Sequence, residues 1–105
     1  MSVVMGIRDR RTGEYRTIPV SASQVFRDYW IPASEALGLR LVSHLHDATL
    51  FRVQLDQIPV IVDELRQLRD YAVARHDFAF IVERIDMISA ALSATDASEY
   101  DYSFG

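Results

Sequence analysis

Apolar residues recur at steps of three and four along the second half of the chain. Ile58, Ile61, Leu65, Leu68 and Ala72 form one such run, and Phe78, Ile81, Ile85, Ile88 and Leu92 form another. Each run is one face of a helix. The six-residue step from Ala72 to Phe78 turns a helix through about 600°, which would point the two stripes in different directions, so the chain must break between Val73 and Asp77. Asp56 and Asp77 stand where N-caps belong, and Pro59 falls in a first turn, where its missing N–H is not needed. The pattern predicts a helical hairpin over residues 56–94.

Upstream the period changes. Val3, Met5 and Ile7 alternate with smaller or polar neighbours, and Tyr15 to Val20 resume strand-forming types beyond a charged stretch containing Thr-Gly. This predicts a β-hairpin over residues 1–20, with a four- or five-residue loop around Gly13 and its second strand ending at Pro19. Ser21 and Gln24 have capping-box spacing, and Val20 can pack on Val25 as a hydrophobic staple. A helix over 21–38 follows, with Val25, Phe26, Tyr29, Trp30, Ala33 and Leu37 on its apolar face, a kink or division at Pro32, and Gly38 as its left-handed end. Leu39–Leu45 and Thr49–Leu55 read as a second hairpin. A three-residue loop at His46-Asp47-Ala48 gives it one clean apolar face and leaves Val42, His44, Leu50 and Arg52 on a half-apolar open face. Residues 95–105 read as a linker and a last strand on a sheet edge, because Tyr100, Tyr102 and Phe104 alternate with Asp101 and Ser103.

The predicted fold class is α+β in a single domain, 1–105. A mostly antiparallel sheet of four to five strands would carry the helical hairpin and the kinked helix on one face, forming a two-layer sandwich. The 50% apolar and 25% charged content is ordinary for a globular domain. There are no cysteines, which excludes disulfides, thiolate catalysis and Cys-type zinc sites. The start MSVVMGIRDRR is not ordered like a secretory signal and no run is long enough for a membrane span, so a cytoplasmic protein is expected.

Charge is uneven. The eleven basic residues are all arginine. Residues 1–20 carry +2, residues 21–84 carry −2, and residues 85–105 carry −4 from Asp86, Asp96, Glu99 and Asp101 with no base among them. The net −4 argues against binding to nucleic-acid phosphates. An acidic C-terminal pole favours a basic protein partner.

Candidate chemistry is sparse. His44 and His46 would project to one side of a strand as two metal ligands, but nothing in the sequence brings a third and fourth to them, so the simpler reading is a strand residue and a turn residue. Asp63 and Glu64 read as a solvated, salt-bridged helix face with Arg66 and Asp70 rather than an acid–base pair. No serine sits in a nucleophile elbow, and there is no phosphate loop or GxGxxG. Neither an enzyme nor a cofactor is expected. The acidic–aromatic tail is the strongest partner-binding candidate. Asp96, Glu99 and Asp101 would steer a basic partner; Tyr100, Tyr102 and Phe104 read more simply as the inward rings of an edge strand, and any of them left exposed would hold the partner.

The order of hairpin, Trp-bearing helix, strands, the helices LDQIPVIVDELRQLRDY and IVERIDMISAAL, and the short strand DYSFG resembles small bacterial immunity proteins of toxin systems. The resemblance covers most of the chain in pattern and size and carries no diagnostic motif. It implies a cytoplasmic inhibitor that occludes a cognate toxin, often a basic nuclease. A phage-encoded inhibitor of a host enzyme, or a small metal-dependent module using His44 and His46, are the alternatives, and a homodimer stays open.

Overall fold

In a computed structural model that describes residues 2–45 and 51–105, four antiparallel strands form one sheet. They are β1 (Ser2–Asp9), β2 (Tyr15–Ala22), β3 (Phe51–Arg52) and β4 (Tyr100–Phe104), in the spatial order β2-β1-β4-β3. Three helical segments cover one face: α1–α2 (Ser23–Val25 and Ile31–Leu37, joined by a π-turn over Phe26–Trp30), α3 (Ile58–Val73) and α4 (Val82–Ala94). The two-layer α+β class expected from the apolar pattern is the observed one.

The β1–β2 hairpin closes over a five-residue loop with Gly13 at φ 76°. Asp9 shapes that loop, its Oδ1 accepting the Arg11 N–H at 2.8 Å. Strand β2 runs past Pro19 to Ala22, with a register shift opposite Val3/Val4. It is an edge strand, where a proline's missing donor breaks no ladder.

The next helix divides where Pro32 requires it. The Ile31 N–H reaches back to the Phe26 carbonyl, one residue further than an α-helix allows, and Pro32 then sits in the first turn of α2. Phe26, Trp30 and Ala33 are fully buried, and the first two rings stack at 5.3 Å. Gly38 ends the helix at φ 69°, and the Leu39 N–H bonds to the Ser34 carbonyl, a Schellman-type closure. The expected Ser21–Gln24 capping box does not form. Ala22 occupies the cap position, and Ser21, still in β2, donates its hydroxyl to the Ala22 carbonyl.

Residues 39–45 are not a strand. Their backbone turns past α3, where the Glu64 carboxylate accepts the N–H groups of Leu41 and Val42 at 3.0 Å each and of Arg40 at 3.3 Å, and then forms a 3₁₀ turn over Val42–His44. A segment whose donors are taken by a side chain has none left for a ladder. The second hairpin is therefore absent. Among the described residues of its outgoing arm, Phe51–Arg52 is a strand, and it pairs with β4. Glu64, expected in solvent, is 5% exposed, whereas Asp63 is exposed and pairs with Arg66 and Gln67.

The helical hairpin has the expected stripes: Ile61, Leu65, Leu68, Ala72, Ile81, Ile85, Ile88 and Leu92 are all buried. Its caps differ from the expectation. Gln54 and Gln57 form a reciprocal capping box ahead of α3, with Asp56 inside the intervening 3₁₀ turn; Asp77 likewise lies within the 3₁₀ turn His76–Ile81 that leads into α4. An Arg69–Asp86 ion pair at 2.7 Å ties the two helices at the surface. Leu65→Ala and Ile85→Ala should each lower unfolding free energy by about 2–5 kcal/mol in urea titrations, because both side chains are fully buried. A loss under about 1 kcal/mol at both would mean that the stripes are not the core.

Candidate functional site

Alternation along the strands decides what each face of the sheet shows. Val3, Met5, Ile7, Tyr102 and Phe104 point into the helices. The other face carries two rows set by the registers: Tyr15, Arg8 and Asp101, then Thr17, Gly6, Ser103 and Arg52. Arg8, Arg52, Tyr15 and Ser103, with Gln54, Leu55 and Asp101, line a cleft of about 500 Å³ on this face.

Gly6 makes room for its floor. A Cβ there would lie 2.7 Å from Ser103 Oγ and closer still to the Tyr15 hydroxyl, so any side chain would displace the tyrosine ring. At the rims stand two large apolar residues exposed to solvent, Tyr15 at 59% and Leu55 at 66%. Three guanidinium groups (Arg8, Arg10, Arg52) face one carboxylate, Asp101. Asp101 is held chiefly by Arg10, whose Nε donates to Oδ1 at 2.8 Å; Arg8 stands 3.7 Å from Oδ2, beyond hydrogen-bond length. Arg52 has no hydrogen bond or ion pair among the described residues. The cleft is thus a positive concavity on an acidic protein.

The tail acids have partners within the chain. Arg10 also donates to the carbonyls of Ala97, Ser98 and Tyr100, and Arg11 lies 3.7 Å from Glu99. Asp96 folds back on Ser98, accepting its N–H and hydroxyl, the backbone bond first; this holds the Asp96 carboxyl below its ordinary value of 3.8. Asp9 is lowered in the same way by the Arg11 N–H. A depressed carboxyl adds stability above its ordinary value and loses it as the pH falls below, so both turns weaken only in acid. Arg8, Arg10 and Arg11 of the first hairpin meet Asp101 and Glu99 of the C-terminal end, opposite poles in sequence.

These contacts redistribute the expected binding residues. Arg52 and Asp101 line the cleft, while Asp96 and Glu99 lie in the turn before β4. Tyr102 at 4% and Phe104 at 0% exposed are core, because β4 lies between β1 and β3 rather than at an edge; Tyr100 is half-buried against the same core. Those two rings offer no surface to a partner. Val42 is also fully buried, and His44 is an exposed residue of the 3₁₀ turn, so the open face proposed from Val42, His44, Leu50 and Arg52 is not assembled. Leu50 and His46 lie outside the described residues. Among the described residues no three His, Cys, Asp or Glu side chains gather as a metal site.

Arg8, Tyr15 and Leu55 were missed by sequence reasoning. The available signal was Gly6, a glycine inside an apolar strand, which marks a close approach over the backbone. Compared with protein families, curated proteins and solved structures, the chain finds no match.

Proposed function

We propose that this chain is a small protein-binding inhibitor of the immunity-protein type, which acts by laying the open face of its sheet over a partner and occluding it. The observation that carries this reading is the make-up of that face. Tyr15, Arg8 and Arg52 stand on three strands of one sheet and Leu55 on a capped turn beside them. Tyrosine and arginine are the residue types that dominate interface energetics, and a rigid sheet presents them at small entropic cost. The proposed place of action is the cytoplasm; no helix among the described residues is long and apolar enough to cross a membrane.

The expectation of a basic partner came from the unneutralised acids near the C-terminus. Arg10 and Arg11 engage Asp101 and Glu99, and the cleft on the sheet face sets Arg8, Arg10 and Arg52 against Asp101, so the proposed partner presents acid to it. The test is co-expression with the product of the neighbouring gene. The reading requires a stoichiometric complex that suppresses that product's activity, and a Tyr15→Ala, Leu55→Ala double variant that weakens the complex about tenfold or more while staying folded. No complex and no suppression would reject it.

A further inference from the structure

We propose that the cleft between Arg8 and Arg52 is an anion site for an acidic polypeptide segment, with a carboxylate seated between the two guanidinium groups and a neighbouring apolar side chain against Tyr15 and Leu55. This rests on the protein-binding reading and names the chemistry its surface would take.

The geometry supports one shared ligand. Arg8 on β1 and Arg52 on β3 flank β4 on the same face, opposite Asp101 and Ser103 respectively. Two strand spacings place their backbones about 10 Å apart across the sheet and one two-residue step apart along it, so both long side chains can reach a group above β4. Ser103 lies in the cleft lining between them and brings a hydroxyl. Among the described residues neither guanidinium is spent on another tight contact. Arg8 has only the 3.7 Å approach to Asp101, whose Oδ1 is bound to Arg10, and Arg52 has no bonded partner among the described residues. Guanidinium groups in this state favour carboxylates, which they meet with two parallel N–H donors.

Charge complementarity selects the occupant. Three arginines and one aspartate leave the cleft at +2, while the chain as a whole is −4. A basic segment would meet like charge in the cleft. The exposed tyrosine and leucine at the rims go unused by a free inorganic anion, whereas a peptide carrying acid beside an apolar residue satisfies both features.

The test is an NMR titration of the full chain at low salt, following arginine Nε–Hε and tyrosine ring signals. The probes are the peptide Ac-Glu-Glu-Phe-Glu-Glu-NH2, its lysine counterpart Ac-Lys-Lys-Phe-Lys-Lys-NH2, and inorganic phosphate. The acidic peptide should shift Arg8, Arg52 and Tyr15. Arg8→Ala and Arg52→Ala, both at exposed positions, should each weaken it about fivefold or more, and added salt should weaken it further. Equal shifts from the lysine peptide, shifts centred on Arg16, Arg27 or Arg40, or unchanged binding in both variants would overturn the proposal. So would phosphate reproducing the full response at the same concentration, which would make this a small-anion site. If the neighbouring gene's product still binds an Arg8→Ala, Arg52→Ala double variant while the acidic peptide binds neither that variant nor the original protein, the inference fails and the inhibitor reading stands. If the peptide binds at the cleft and that product does not, the inference stands without it.

Discussion

Deleting residues 96–105 should unfold the protein. Those residues contain β4, the interior strand that joins β3 to the rest of the sheet. Its loss strips β1 of one of its two partners from Met5 to Asp9 and leaves the two-residue β3 with no strand neighbour among the described residues. It also removes Phe104 and Tyr102 from the core and takes away all four acceptors of the Arg10 guanidinium. Phe104→Ala alone should cost about 3–5 kcal/mol, as other fully buried phenylalanines do. Against the roughly 5–15 kcal/mol typical of a whole domain, that single change is a large fraction of the total. Urea unfolding followed by far-UV circular dichroism measures both variants. A truncated protein that still unfolds cooperatively at the wild-type midpoint would show that β4 is dispensable and return its rings to the list of partner contacts.

Glu64→Ala should destabilise by about 2–4 kcal/mol, far more than a typical carboxylate on a helix surface. Its carboxylate is the acceptor for Arg40, Leu41 and Val42, and the Val42 bond is fully buried. Removing the acceptor leaves these donors unpaired where water reaches them poorly, at about 1–3 kcal/mol for a buried group. Glu64→Gln keeps one oxygen and the shape of the side chain and should lose roughly half as much. Asp63→Ala, one residue away and exposed, should stay within about 0.5 kcal/mol. Denaturant midpoints test the ranking, and hydrogen exchange at the Leu41 and Val42 amides tests its cause. Should Glu64→Ala and Asp63→Ala prove equal, with exchange at those amides unchanged, residues 40–42 do not depend on the carboxylate.

Glu64 also shows why periodicity misled at one point. It lies three positions from Ile61 and beside Leu65, on the edge of the apolar stripe, and a carboxylate there belongs in water unless something pays for its burial. What does so is a set of backbone donors from a segment more than twenty residues away in sequence. No local pattern encodes that meeting. Leu39, Leu41, Ser43 and Leu45 alternate as a strand should, yet the helix end at Gly38 and the waiting carboxylate turn the segment instead, so that Val42 and Leu45 are buried.

The sequence by itself determined the elements whose short-range spacing no distant contact overrode. The two helical stripes and their break follow from 3.6-residue periodicity. The first hairpin follows from alternation around a glycine, the divided helix from proline's missing donor, and the inward rings of the last strand from a period of two. What only the tertiary structure decided was adjacency. The position of β4 between β1 and β3 turned an expected edge into a core strand. It also placed Asp101 beside Arg8 and Arg10, which set bases against an acidic pole that stood unopposed along the chain. The cleft has the same origin, because Tyr15, Arg8, Gly6, Ser103 and Arg52 come from four strands and share a face only once those strands are in register. Register between distant strands is set by the packing of the whole core, and a linear pattern carries no record of which strand will lie beside which.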